Sequence, residues 1–250
     1  MSKAASPWFR FASPAAFYPL AGRLATLFGW VAALLTAAGL ITGFAIAPTD
    51  WQQGEAYRII FLHVPAAWMA MFTYLVMAGW SAASLIWNTR LSAMMAQALA
   101  PTGALFAFLA LWSGALWGRP TWGTYWVWDA RLTSTLILLF LYLGFMALRT
   151  AIDDPRRADR ACALLALVGA INVPIIYFSV RWWNTLHQGA SVSLTAAPTM
   201  AQTMLAGMLL MDLAAWSYTI AAALHRVRSI MIEREAGTEW VQRLAARSDT

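Results

Sequence analysis

Six long apolar runs, each closed by a polar or charged cluster, divide the chain. They fall at about 24–46, 64–87, 96–117, 132–149, 161–180 and 200–224. Each approaches or exceeds the roughly 20 residues a helix needs to cross a hydrocarbon core. Pro101 interrupts the third run and Pro174 the fifth. Membrane helices tolerate proline where neighbouring groups satisfy the freed carbonyl. The pattern therefore predicts an all-α integral membrane protein with six transmembrane helices, a single polytopic domain over residues 1–250 and a tail at 225–250.

Composition agrees with the pattern. The chain is 61% hydrophobic and 11% charged, against about a quarter charged in a soluble domain. Ala45-Ile46-Ala47 has the small-x-small form of a secretory cleavage site. The apolar run before it is longer than the roughly 7–15 residues of a signal core, and Pro48 makes the site a poor substrate, so the first run reads as a retained helix. The lone cysteine, Cys162, lies inside the fifth run; it forms no internal disulfide and reads as a small core residue.

Charge sets an orientation. Lys3, Arg10, Arg23, Arg90, Arg149, Arg156, Arg157, Arg160 and five arginines of the C-terminal segment fall on the side of the termini, thirteen of the seventeen basic residues. The opposite side keeps Arg58, Arg119, Arg131 and Arg181. The positive-inside rule then puts both termini in the cytoplasm. This bias accounts for the net charge of +6, so a nucleic-acid partner is not needed.

Three loops then face outward, at about 47–63, 118–131 and 181–199. They carry His63, the stretch WGTYWVWDARLTS (122–134) and His187, while His225 sits at the inner end of the last helix. Tryptophans at helix ends commonly anchor a membrane protein at the headgroups. That role needs no glycine, aspartate and arginine fused into the same block. On a helix Trp122 and Trp126 share a face, and each indole can bury roughly 150–250 Å² against a flat ligand. Haem suits such a shelf: its ring is planar and apolar, its iron takes axial imidazoles and its propionates need cations. His63 and His187 are candidate axial ligands, and Arg58, Arg119, Arg131 and Arg181 are candidate propionate partners. No cysteine pair or acid–histidine cluster at zinc-like spacing is present, and neither a Walker loop nor a GxSxG elbow appears. Asp212, midway along the last helix, must face protein or water; Asn172 or a partner subunit is a candidate contact.

WGTYWVWDARLTS, preceded by WGRPT, resembles the tryptophan-rich signature of the haem-handling membrane proteins of cytochrome c biogenesis. YRIIFLHVPAAW and WWNTLHQG are similar to the histidine segments of one branch, cytochrome c maturation protein C (haem exporter protein C), and the resemblance covers nearly the whole chain. It implies that His63 and His187 ligate haem b (iron protoporphyrin IX). Residues 117–131, with Trp117, Trp122, Trp126, Trp128 and Asp129, would form a periplasmic platform. It implies a multi-pass protein of the bacterial inner membrane that handles haem rather than an enzyme. The implied partners are an ABC transporter's ATPase and membrane subunits, a small single-helix protein and a periplasmic haem chaperone. Two other functions fit the residues: a transmembrane transporter of haem or another solute, and a cytochrome-b-like electron-transfer subunit.

Overall fold

The computed structural model describes residues 11–183, 185–187 and 200–248. Lys3, Arg10 and most of the loop at 181–199 lie outside them. Among the described residues, six helical spans are long and apolar enough to cross a membrane. Helix α1 (Pro14–Leu40) opens on Ser13, whose side chain accepts from the Ala16 N–H, with Pro14 at its first position. It runs on as a π-helical turn, Ile41–Ile46, and Pro48 then biases the chain away from helix. A 3₁₀ turn, Glu55–Ile59, leads into α2 (Ile60–Trp87). The following helices are α3 (Arg90–Trp122), α4 (Ala130–Ala151), α5 (Pro155–Gly169), α6 (Asn172–Trp182), α7 (Gln202–Arg234) and the short α8 (Glu239–Ser248).

The helices outrun the sequence-based limits at several ends. The expected loop at 47–63 is helical from Glu55, so His63 stands in the first turn of α2 rather than in a loop. This early start is tied to the end of the first span: Tyr57 donates to the Pro48 carbonyl at 2.7 Å, and Arg58 bonds the carbonyls of Gly43 and Ala47. Helix α3 begins at Arg90 and continues past Pro120 to Trp122, where Gly123 closes it at φ 79°. The fifth span is not one helix. It breaks between Gly169 and Asn172, where the Asn172 amide donates to the Ser134 carbonyl of α4 at 2.8 Å. Asn172 is not the partner of Asp212, whose buried carboxylate oxygens have no hydrogen-bond partner among the described residues. The expected tail at 225–250 begins as the last turns of α7 and closes with α8.

Lipid is as apolar as leucine, so helices associate in a bilayer by close packing more than by hydrophobic transfer. Helix α3 is built for that role. Ala96, Ala100, Ala104, Ala107 and Ala110 are buried along it and let α2 and α4 approach. Tyr142 of α4 is fully buried and donates to the Ala70 carbonyl of α2 at 2.8 Å. On the other flank α1 lies along α7, with Ala21, Ala25, Val227 and Met231 buried between them. The start of α2, the end of α3, the start of α4 and the end of α6 all meet at one end of the bundle. The start of α1 and the end of α7 lie at the other.

Candidate functional site

At the end opposite the termini, the sequence sets two histidines in matched frames. His63 Nδ1 lies 3.0 Å from the Ser113 hydroxyl oxygen of α3. That hydroxyl donates its own proton to the Leu109 carbonyl at 2.5 Å. Its oxygen is therefore left to accept, so Nδ1 carries the hydrogen and the lone pair sits on Nε2. Trp117, one turn beyond Ser113, meets the imidazole edge-on with centroids 5.6 Å apart. Its indole N–H donates to the Gln53 side chain at 2.8 Å. Gly114 leaves room for the ring, since a Cβ there would stand 2.9 Å from His63 Cε1.

His187 is held in the same way by an anion. Its Nδ1 lies 3.1 Å from Asp129 Oδ2, and its backbone N–H donates to the Thr185 hydroxyl oxygen at 3.2 Å. Thr185 donates to the same carboxylate oxygen. The other oxygen, Asp129 Oδ1, accepts from the Leu132 N–H at 2.7 Å and caps α4. Burial works to raise the Asp129 pKa. The bonds from Thr185, the Leu132 N–H and His187 outweigh it and hold the carboxyl below its ordinary value. Burial, aided by Arg131 and opposed by Asp129, lowers the pKa of His187. The pair is thus a carboxylate with a neutral imidazole that donates through Nδ1, which leaves the ring's lone pair on Nε2. Trp122 borders this ring at 4.8 Å between centroids.

Both histidines line one narrow gap together with Arg131, Thr135, Met71 and Ile176. Of the four outer arginines, Arg131 alone is among the residues lining this gap. Arg58 is engaged by Glu55 and the carbonyls at the end of the first span. Arg119 donates to the Gly123 carbonyl and lies 5.7 Å from the Tyr125 ring centroid, while Arg181 is exposed. The tryptophans are arranged differently from a single helical face. Helix α3 ends at Trp122, and residues 123–129 are not helical, so Trp122 and Trp126 do not share one. Trp126 instead packs edge-on against Trp128, with centroids 5.3 Å apart. Trp128 is 76% exposed.

The family model for Heme exporter protein C matches residues 7–242. The Heme exporter protein C of Bradyrhizobium diazoefficiens is 48% identical over 223 residues, 89% of this chain and 84% of the relative. That of Haemophilus influenzae is 42% identical over 235 residues, 94% and 96% of the two chains. A ccmC-like mitochondrial protein of Marchantia polymorpha, named for cytochrome c biosynthesis, is 47% identical over 159 residues, 64% of this chain and 67% of the relative. The chain belongs to the Heme exporter protein C family. In this member Ser113, Gln53 and Thr185 complete the site, and sequence reasoning missed all three. Only Thr185 carried a local signal, a hydroxyl two residues before a histidine.

Proposed function

We propose that this chain binds haem between His63 and His187 at the outer face of the inner membrane and passes it on for cytochrome c biogenesis. The observation that carries the reading is the shared frame of the two imidazoles. Each is anchored through Nδ1, and both line one gap. Histidines that ligate a metal characteristically donate their second ring N–H to a carboxylate or another oxygen, which fixes the ring and raises its basicity. The donor set fits haem iron, and the names of the relatives point to the same cargo.

Haem is cargo here, and this chain supplies orientation and contact rather than a bond-making step. The Nε2 atoms of His63 and His187 would hold the haem iron. Trp117 and Trp122, already packed against the two imidazoles, border the macrocycle, with Trp126 and Trp128 further out. Arg131 receives a propionate through charge-assisted hydrogen bonds. Receipt by a periplasmic chaperone and assembly with ABC-transporter subunits and a single-helix protein complete the proposed setting, supported by the family resemblance. The double variant His63→Ala/His187→Ala is expected to insert normally and to lose most of the haem that copurifies with wild type. Wild-type haem content in that variant would remove the proposal.

A further inference from the structure

A second, wider cleft opens at the end of the bundle where α1 starts and α7 finishes. Tyr18, His225, Arg226, Arg228, Ser229 and Ile232 line it, around about 710 Å³ of empty space with the open side included. Arg226 reaches inward, donating to the Ala98 carbonyl and the Thr102 hydroxyl, each at 2.8 Å. Arg228 lies 4.3 Å above the Tyr18 ring, and its buried Nε has no hydrogen-bond partner among the described residues. Gly22 permits this approach, since a Cβ there would stand 3.0 Å from the guanidinium carbon.

Two of the neighbouring acids, Glu235 and Asp159, are committed elsewhere. Glu235 meets Arg90 at 3.4 Å and accepts from the Trp240 indole at 2.7 Å. Asp159 meets Arg234 at 2.6 Å and Arg149 at 3.9 Å. No acid is among the described residues that line the cleft. We propose that it binds the phosphate group of an anionic phospholipid.

Depth and shape favour a lipid over a free phosphate. Helix α7 has 33 residues and so extends about 50 Å at 1.5 Å per residue, longer than a hydrocarbon core of about 30 Å. Its residues from His225 onward therefore reach the headgroup layer. A guanidinium fork matches phosphate oxygens, and partly exposed Ile232 offers apolar contact for the chain below a headgroup. A free phosphate would use the arginine and leave that contact idle. Basic pockets between membrane helices are suited to anionic headgroups.

The test uses full-length protein in mixed phosphatidylglycerol–phosphatidylcholine nanodiscs, with retained lipid counted by native mass spectrometry. Wild type is expected to keep phosphatidylglycerol over phosphatidylcholine. Arg228→Gln should lower that retention about fivefold, the equivalent of losing one favourable basic contact to an anionic lipid. His225→Glu, at an exposed position, should lower it as well by repulsion, and Arg181→Gln at the other end should not. Equal retention in wild type and both cleft variants would overturn the proposal. So would displacement of the bound lipid by millimolar inorganic phosphate, which would mark a free-anion site.

Discussion

Asp129 gives each carboxylate oxygen a separate task. One caps α4 through the Leu132 N–H, and the other holds Thr185 and His187. Asn can still cap a helix, so Asp129→Asn separates the two tasks. We expect normal helix content and a haem affinity lowered about 10–100-fold, the usual effect of losing a partner behind a metal-binding histidine. Haem titration beside circular dichroism measures both, and an unchanged affinity would show that the carboxylate does not serve the ligand. Asp129, His63 and His187 were legible in the sequence because aromatic and charged residues crowd around them. Ser113, Gln53 and Thr185 were not. Ser113 and Gln53 meet partners 50 and 64 residues away, Thr185 reaches His187 two residues on but Asp129 only across 56, and hydroxyl or amide side chains are too common to stand out.

Each of two glycines controls one element of the site. Gly123 ends α3 at φ 79°, and a side chain in that left-handed region costs about 1–2 kcal/mol. Gly123→Val is expected to lower the thermal midpoint in detergent and to loosen the Trp126–Asp129 turn. Gly114→Ala should act more locally, because its methyl would meet the His63 ring. We expect an altered haem absorption band with helix content unchanged; a wild-type band would mean the ring yields without leaving its bond to Ser113. The existence of all six spans was legible from hydropathy, since each must bury an apolar length. Their ends were not. Pro120 stops no helix when it lies in the last turn of α3, and the break before Asn172 depends on a Ser134 carbonyl supplied by another helix.

Across the whole molecule, the six apolar spans among the described residues bring the start of α1 and the end of α7 to one end and His63, Asp129 and His187 to the other. From the arginine bias we propose that the first end is cytoplasmic. In a Cys162→Ala background, cysteines at Asp50 and Tyr125 are expected to react with an impermeant thiol reagent added outside intact cells. Cysteines at Arg90 and Arg156 should react only after lysis, and the reverse pattern would invert the protein in the membrane. The same architecture makes the site a clamp between distant parts of the chain, with His63 at the head of α2 and His187 beyond the end of α6. One haem joined to both must be six-coordinate. The most direct measurement is therefore the absorption and electron paramagnetic resonance spectrum of the haem in wild type, His63→Ala and His187→Ala. The expected result is a low-spin six-coordinate iron in wild type, moving toward high spin in each single variant, with His225→Ala unchanged. A wild-type low-spin spectrum in either His63→Ala or His187→Ala would contradict ligation by that residue.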